Sequence, residues 1–163
     1  MTLWQTTVDT PVGQLVVVAA DTGLRSIRWE SQAPRHGAGA PEVDASHPVL
    51  RAAVEQLDAY LAGARRSFDL PLDPVGTDFQ QAVWKLLREV PYGTTISYAE
   101  QARRLGDARK ARAIGGANGR NPIAIVVPCH RVVGSDGTLT GFAAGTDVKR
   151  WLLDHEQAVT AAG

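Results

Sequence analysis

Residues 123–137, with the sequence IAIVVPCHRVVGSDG, constrain the fold more than any other stretch of the chain. The apolar run 123–127 has the length and the β-branched side chains of a buried strand. Pro128 ends the predicted strand, because it has no backbone N–H to donate and its ring fixes φ. Cys129, the only cysteine of the chain, is therefore expected where a rigid strand ends.

The two residues after Cys129 indicate a reactive thiol. His130 and Arg131 can both carry positive charge, and nearby positive charge lowers the pKa of a thiol from about 8.5. The alternative is a buried structural cysteine, which is how an isolated cysteine most often behaves. A single cysteine forms neither an internal disulfide nor a thiolate zinc cluster, so it suits a reducing cytoplasm.

The composition is that of a soluble globular protein. With 163 residues, of which 44% are hydrophobic and 21% charged, the chain makes one or two small domains that can bury a core. The N-terminus lacks the basic region and the apolar core of a signal peptide, and no run approaches the length of a membrane span. The expected location is therefore the cytoplasm.

Charge is distributed unevenly, although the formal net charge is +0. Residues 1–78 carry 6 Lys+Arg against 10 Asp+Glu, a charge of −4, whereas residues 79–163 carry 11 against 7, a charge of +4. Between residues 103 and 131 there are seven basic residues and one acidic residue. Such a stripe is typical of phosphate-binding surfaces, and an ordinary solvated basic helix is the alternative.

The first half of the chain predicts a small sheet with one helix. Short gaps of turn residues favour an antiparallel meander of three β-rich runs, which are residues 3–8, 15–20 and 24–29. Residues 31–46 lack an apolar period and predict a surface loop. A helix follows from Pro48, with Ser46 as its N-cap and Gly63 just after its end.

One more strand is predicted where Phe68, Leu70 and Leu72 alternate with polar residues. It would pack on the meander and complete a domain over residues 1–72. No catalytic constellation is visible in this part of the sequence, so we expect a scaffold.

The second half predicts a helix-turn-helix. Capping boxes at residues 77–80 and 97–100 open two helices, and Gly106 ends the second of them. Asp107 then caps a third helix over residues 108–118. Two short helices joined by a turn that contains glycine are typical of a helix-turn-helix.

Two further elements complete the second half, which follows a linker at residues 73–76. Val132-Val133 is expected to pair with Thr138-Leu139 across a glycine turn and form a wing, and residues 147–155 predict a closing helix. The predicted fold class is α+β. A small N-terminal antiparallel sheet with a helix precedes a mainly helical, winged helix-turn-helix-like domain over residues 77–163.

Three ordered blocks of the second half resemble the O6-alkylguanine-DNA alkyltransferase family, also called methylated-DNA–protein-cysteine methyltransferases. The blocks are PYGTTISYAE, ARAIGGANGRNPIAIVVPCHRVVG and WLLDHE, and the similarity runs from about residue 77 to residue 156. The inactive relatives, the alkyltransferase-like proteins, lack the cysteine, so its presence favours an enzyme.

The resemblance implies direct reversal of DNA damage. An alkyl group, chiefly methyl, would move from guanine O6 to Cys129 once per protein molecule, with O4-alkylthymine as a weaker substrate. No cofactor and no metal is implied, and ligands for the structural zinc of some relatives are not evident. The expected partner is duplex DNA bound in its minor groove with little sequence specificity.

The resemblance also assigns roles around the thiol. Cys129 is the nucleophile, His130 takes its proton through a water, and Glu156 orients His130. Asn121 braces the turn before the active-site segment. Tyr98 helps to flip the damaged nucleotide and hydrogen-bonds the extruded purine.

For the DNA surface, the resemblance matches Arg112 to the arginine that intercalates where the flipped base was, because a base inside a duplex is out of reach of a thiolate. Further DNA contacts are expected from Ala99, Asp107, Arg109, Lys110 and Ser135. Gly115 and Gly116 lie on the same predicted helix, and either close approach to DNA or tight helix packing explains them.

The substrate pocket is expected to involve Val132, Phe142 and Ala143. Relatives usually have tyrosine and glycines or serine where this chain has Phe142-Ala143-Ala144-Gly145, so the range of alkyl sizes is left open. Two rival functions are a lesion-binding module that recruits other factors and a cysteine hydrolase that uses Cys129 and His130. We expect a monomer in solution without membrane contact, and assembly on DNA is left open.

Overall fold

The structure is a computed structural model that describes residues 2–32, 41–139 and 142–163. It divides into two compact units, Met1–Val75 and Gly76–Gly163. Within the described ranges, no helix has the combination of length and apolar character needed to span a membrane.

The predicted meander forms the sheet of the first unit. Strands β1 (Trp4–Thr10), β2 (Gly13–Ala20) and β3 (Gly23–Trp29) pair antiparallel in sequence order. A short strand β4 (Glu42–Val43), which the sequence did not predict, pairs parallel with β1 at the edge of the sheet. Residues 33–40 of the predicted loop lie outside the described residues.

Helix α1 (Pro48–Leu61) packs against this sheet through Leu50, Ala53 and Leu57, all buried. The predicted N-cap Ser46 is wrong. His47 caps the helix by accepting from Val49 N–H through Nδ1 at 3.2 Å, while the Ser46 hydroxyl is engaged by Asp44 at 2.6 Å. Gly63 follows the helix end with φ 77°, as predicted.

The strand predicted from Phe68, Leu70 and Leu72 is also wrong. Only Leu72 forms a bridge, parallel to Leu24. The side-chain amide of Gln56 binds both backbone groups of Asp69 at 2.9 Å, so these groups are taken by a helix side chain and not by a neighbouring strand. The alternating apolar residues are thus an extended segment beside the sheet.

In the second unit, helix α2 (Asp78–Leu87) starts at the predicted capping box. Thr77 Oγ1 accepts from Gln80 N–H at 3.1 Å, and Gln80 Oε1 accepts from Thr77 N–H at 3.0 Å. Helix α3 (Tyr98–Arg104) starts at Ser97, whose hydroxyl accepts from Glu100 N–H. The Glu100 carboxylate binds Arg103 and Arg104, so the reciprocal half of this second box is replaced by ion pairs.

The helix-turn-helix consists of α3 and α4 (Ala111–Gly119). Gly106, with φ 95°, ends the first helix, and Asp107 caps a 3₁₀ turn (Ala108–Lys110) that precedes α4 where the sequence predicted one continuous helix. Two buried side-chain amides join the helices: Gln101 and Asn118 exchange hydrogen bonds of 2.9 and 2.8 Å. Their mutual satisfaction fixes how α3 packs on α4.

Among the described residues, the predicted wing pairing of Val132-Val133 with Thr138-Leu139 does not form. Strand β6 (Val132–Val133) pairs parallel with β5 (Ile96–Ser97), the residues directly before α3. After β6, Gly134 N–H donates to Thr138 O at 2.8 Å. The Asp136 carboxylate accepts from the backbone N–H and the hydroxyl of Thr138, which stabilises a turn over residues 134–138. The closing helix α5 (Thr146–Ala162) forms and is longer than predicted.

The strand predicted at residues 123–127 does not form, because beyond an isolated bridge at Ile123 these residues make a series of turns. Ile125 has φ 71°, and local hydrogen bonds connect Val126 N–H to Ala124 O and Val127 N–H to Ile123 O. The side chain of Asn121 supplies the missing ladder bonds, since its Nδ2 donates to Val127 O at 2.8 Å and its Oδ1 accepts from Ile123 N–H at 3.0 Å. The apolar run is buried as predicted, but it folds back on itself.

Candidate active site

Cys129 begins a 3₁₀ turn (Cys129–Arg131) directly after these buried turns. The residue as a whole is partly exposed, and the Asn121 side chain braces the turn before it by donating to Val127 O. Pro128 therefore does not end a strand but is the N-cap residue of the 3₁₀ turn, and its carbonyl accepts from Arg131 N–H at 3.0 Å.

Burial raises the pKa of the Cys129 thiol above its ordinary value. Two neighbours, the Asn121 side chain and the charge of Lys149, act in the opposite direction but do not outweigh burial. The expectation that His130 and Arg131 lower the pKa is therefore wrong in its net direction. Arg131 points to a carboxylate and not to the sulfur, so Cys129 rests as a thiol that needs a base.

His130 is completely buried, and its Nε2 lies 2.7 Å from Glu156 Oε2, which is also buried. Burial alone would raise the pKa of Glu156, but hydrogen bonds and charge from His130 and Arg131 outweigh it and hold the pKa well below its ordinary value. Glu156 is thus ionised and accepts a hydrogen bond from the protonated Nε2 of His130. Nδ1 then carries no proton and has a free lone pair. Nδ1 is buried and makes no hydrogen bond among the residues described.

Arg131 binds the same carboxylate from another side. Its Nε donates to Glu156 Oε1 at 2.8 Å and its Nη2 to Glu156 Oε2 at 3.0 Å. Nη1 donates to Val90 O at 2.8 Å, and Gly93 N–H donates to Glu156 Oε1 at 3.2 Å. Glu156 is therefore shared by a histidine, an arginine and the turn that leads to β5.

Lys149 is a second buried cation, only 1% exposed, which sequence reasoning missed. Its Nζ donates to Val132 O at 2.5 Å and lies 5.7 Å from the centroid of the Tyr98 ring. Burial lowers the pKa of Lys149, and its interaction with Cys129 acts in the opposite direction. Its spacing with Leu152 and Glu156, at i, i+3 and i+7 on α5, was the signal that a lysine faces the interior.

His130 is uncharged at rest, mainly because it is buried. Burial lowers the pKa of His130, Glu156 acts against this shift, and the positive charges of Arg131 and Lys149 add to it. A neutral imidazole with its proton on Nε2 can accept a proton at Nδ1. No hydrogen bond joins His130 to the thiol within the described ranges, so a proton passes between them only through an intermediary such as water.

The residues predicted to contact DNA lie on or beside the helix-turn-helix. Arg112 and Ala99 are exposed, and Tyr98 is half-buried at the start of α3. Asp107 pairs with the exposed Arg109 at 3.1 Å, which gives this acid a capping role. Two more predicted residues are Lys110, 5.8 Å from the Phe79 ring centroid, and Ser135, which is exposed in the turn after β6.

Glycines on α4 face open space. Apart from the adjacent residues and the backbone of the same helix, a Cβ atom built at Gly115 or Gly116 would meet no atom within 4 Å. Tight helix packing, one of the two explanations from the sequence, is therefore excluded within the described structure. The surface of α4 instead allows another molecule to approach its backbone closely.

The predicted pocket residues differ in exposure. Val132 is fully buried, and its backbone carbonyl accepts a hydrogen bond from Lys149 Nζ. Phe142 is half-buried and Ala143 is exposed, and residues 140–141 before them lie outside the described residues. Across the described ranges, no group of three or more His, Cys, Asp or Glu side chains is arranged to hold a metal ion.

Two family models match the chain. The model described as "6-O-methylguanine DNA methyltransferase, DNA binding domain" matches residues 78–158. The model described as "6-O-methylguanine DNA methyltransferase, ribonuclease-like domain" matches residues 3–74.

Named relatives are similar over nearly the whole chain. A methylated-DNA–protein-cysteine methyltransferase of Methanosarcina barkeri is 45% identical over 150 residues, covering 92% of this chain and 94% of that protein. The one of Mycobacterium tuberculosis is 46% identical over 154 residues, covering 93% and 91%.

Solved structures are similar to the same extent. The crystal structure of the Mycobacterium tuberculosis O6-methylguanine methyltransferase has a TM-score of 0.87 at 44% identity and covers 96% of this chain and 94% of that chain. A crystal structure of Mycobacterium tuberculosis OGT in complex with DNA has the same TM-score, identity and coverage.

Proposed function

The chain belongs to the 6-O-methylguanine DNA methyltransferase family, and we propose that it is a methylated-DNA–protein-cysteine methyltransferase. It repairs O6-methylguanine in duplex DNA by moving the methyl group to Cys129, with O4-methylthymine as a weaker substrate. One observation carries this proposal. The only cysteine directly precedes a buried His130–Glu156 pair, in the unit that also contains the helix-turn-helix.

Thiol activation is the first step. The proton of Cys129 passes through a water to Nδ1 of neutral His130, and Glu156 stabilises the imidazolium that forms. The ammonium of Lys149 favours the thiolate, because it interacts electrostatically with the sulfur. Burial keeps the resting thiol protonated. A thiolate therefore forms only when His130 accepts the proton.

Alkyl transfer is the second step. The thiolate attacks the alkyl carbon, an S–C bond forms, and the C–O6 bond breaks with its electron pair left on the guanine. Over the whole reaction one proton leaves the thiol and one joins the guanine, so the products are a thioether and an unmodified base. A thioether has no leaving group that this site can use, so each protein molecule acts once.

Access to the base requires flipping, because the alkyl carbon of a stacked nucleotide is out of reach. In this proposal α4 enters the minor groove with its exposed glycines against the DNA, and the exposed Arg112 fills the gap in the stack. A planar guanidinium suits stacking between bases better than an ammonium does. Tyr98 and the backbone of Cys129 and Val132 hold the extruded base.

The other parts of the proposal concern organisation. Residues 1–72 act as a scaffold, and residues 77–163 bind DNA and carry the thiol. The protein works as a monomer in the cytoplasm, without a cofactor or a metal. The single cysteine supports this location, because a nucleophilic thiol stays reduced there.

Intact mass of the protein after incubation with an O6-methylguanine duplex tests the function. With duplex in excess, one methyl group per protein is expected, located on Cys129 by peptide mapping, and Cys129→Ser should gain none while it still binds DNA. A mass that stays unchanged with tight lesion binding would indicate a lesion-binding module, and repair beyond one equivalent would exclude the stoichiometric mechanism.

A further inference from the structure

We propose that Arg131 is a positioning residue that keeps His130 in its neutral, proton-accepting form by occupying both oxygens of Glu156. This inference rests on the proposed function only in taking Cys129 as the nucleophile that His130 deprotonates. Arg131 thus acts on the general base His130, although Arg131 itself touches neither the thiol nor the substrate.

The geometry is that of a bidentate clamp. Arg131 donates to Oε1 and Oε2 of Glu156 at 2.8 and 3.0 Å, while His130 donates to Oε2 at 2.7 Å. Such paired, charge-assisted bonds are stronger and more directional than a single one. All three side chains are buried, so water does not compete for these donors.

Charge balance gives the clamp its effect. A buried carboxylate without a cation is costly, and a histidine as its only partner would take up a proton to neutralise it. Arg131 supplies the positive charge permanently, since a guanidinium does not lose its proton in proteins. His130 can then bind Glu156 as a neutral donor and keep Nδ1 for the thiol.

The groups that face His130 act on its protonation in opposite directions. Glu156 and Lys149 approach from α5, and Cys129 and Arg131 belong to the same turn as His130. The positive charges of Arg131 and Lys149 both disfavour an imidazolium at rest, and Glu156 alone favours it. Removal of Arg131 therefore tips this balance toward protonation.

Arg131 also fixes where the carboxylate lies. Its third donor, Nη1, binds Val90 O, and its Cζ lies 5.4 Å from the ring centroid of Tyr92. Gly93 N–H in the same turn binds Glu156. Residues 90–93 and the carboxylate thus hold each other in place, and a lysine, with a single charged atom, cannot reproduce this set of bonds.

Nitrogen NMR of the histidine side chains tests the proposal on the wild-type protein, without DNA. The His130 signals are identified by their loss in His130→Gln. We expect a neutral ring at pH 7 with the proton on Nε2, and an imidazolium at pH 7 would overturn the proposal even if every variant failed to fold.

Two variants add a kinetic measurement. In Arg131→Met, His130 should be protonated at pH 7, and the acidic limb of iodoacetamide labelling of Cys129 should move up by about one pH unit or more, which slows labelling on that limb about tenfold. In Arg131→Lys, the charge remains, so the limb should move less. Iodoacetamide needs no DNA, so these outcomes are independent of whether the protein repairs DNA.

Arg150→Met is the matched control, because Arg150 is an exposed arginine on α5 and belongs to no part of the site. It should leave the His130 signals and the labelling profile unchanged. If Arg131→Met lowers the melting temperature but leaves both readouts as in the wild type, Arg131 is only a structural residue and the proposal is wrong.

Discussion

The two units of the molecule bury different kinds of side chain. In the first unit, the residues between sheet and helix are apolar, as with Leu15, Ile27 and Leu57. The buried amide and charged side chains of the described structure all belong to the second unit: Gln101, Asn118, His130, Arg131, Lys149 and Glu156. The first unit thus gains stability from the hydrophobic effect, which is insensitive to pH and to the identity of one polar partner.

The second unit buries apolar side chains as well, such as Trp84, Ile114 and Leu152, but its stability also depends on whether its buried polar groups keep their partners. Taking a charge out of water costs several kcal/mol, and hydrogen bonds recover this cost only when every member of the network is satisfied. A core of this kind is not needed for stability, because apolar side chains would serve as well. The difference between the units therefore indicates where the chemistry takes place, and substitutions in both units and a change of pH test it.

Glu156→Gln should have the largest effect on the second unit. The change leaves the buried guanidinium of Arg131 without a counter-charge, so we expect the free energy of unfolding to fall by about 3–5 kcal/mol. Leu57→Ala in the first unit should cost a similar amount, about 2–5 kcal/mol, through a cavity. Urea unfolding gives both values, and the rate of Cys129 labelling should fall only in Glu156→Gln.

A double substitution separates charge from chemistry at this position. Glu156→Gln combined with Arg131→Met removes both charges, which should restore much of the lost stability but not the labelling rate. If stability and rate recover together, the polar core contributes nothing specific to thiol activation.

Acid should destabilise the second unit before the first. The folded pKa of His130 lies below its ordinary value of 6.5, so the unfolded chain binds a proton below about pH 6.5 that the folded site does not accept. Glu156 has a folded pKa below its ordinary value of 4.5, so its contribution is present above that pH and is lost as the pH falls further. Both shifts make stability fall with decreasing pH.

Hydrogen exchange measured peptide by peptide resolves the two units as the pH is lowered. Between pH 7 and pH 5, peptides of α5 should lose protection relative to peptides of α1, by about 1.4 kcal/mol for each unit of pKa shift that is expressed. The ratio of protection in α5 peptides to protection in α1 peptides removes the intrinsic pH dependence of exchange. A ratio that does not change with pH would mean that the buried charges do not control stability.

Lys149→Met should act on the thiol more than on the fold. Lys149 is the buried cation that favours the thiolate, so its loss should raise the pKa of Cys129 further above its ordinary value. A rise of one unit lowers labelling at pH 7 about tenfold. The pH profile of labelling measures this, with Arg150→Met as the control, and equal profiles would show that Lys149 only anchors Val132 O.

Local hydrogen bonds made part of the fold predictable. The capping box at Thr77 and the glycine at position 106 act within a few residues, so the sequence located α2 and the end of α3. The run 123–127 was correctly predicted to be buried but not how it folds, because a side chain, Asn121, supplies the hydrogen bonds that a neighbouring strand would give. Apolar periodicity does not record that kind of substitution.

The family motif assigned roles to some residues of the candidate site, but it gave no partner to the two buried cations Arg131 and Lys149. The motif pointed to His130 and Glu156, which the structure brings within hydrogen-bonding distance. The partners of Arg131 and Lys149 lie 25 and 17 residues away, and a cation beside a histidine or another arginine looks like a surface residue in the sequence. Only their burial in the tertiary structure gives these two cations a role.

Gly116→Ala should have the smallest effect on the protein and a specific one on DNA binding. Gly116 lies within α4, and an added Cβ meets nothing within 4 Å, so the substitution should stabilise the helix by up to about 1 kcal/mol. The same methyl group would stand between the helix backbone and a bound duplex. We therefore expect a higher melting temperature together with weaker binding to undamaged duplex DNA, measured by fluorescence anisotropy at fixed salt concentration.

Reaction with free O6-benzylguanine is the control for Gly116→Ala, because a free base needs no helix in a groove. Its rate should equal that of the wild type, whereas repair of duplex DNA at subsaturating protein should slow in proportion to the lost affinity. If binding to duplex is unchanged while stability rises, α4 does not approach DNA closely, and the open space beside its glycines has no part in recognition. In that case the two units differ only in their interiors. No exposed residue of the second unit would then lower the stability of the protein for the sake of DNA binding.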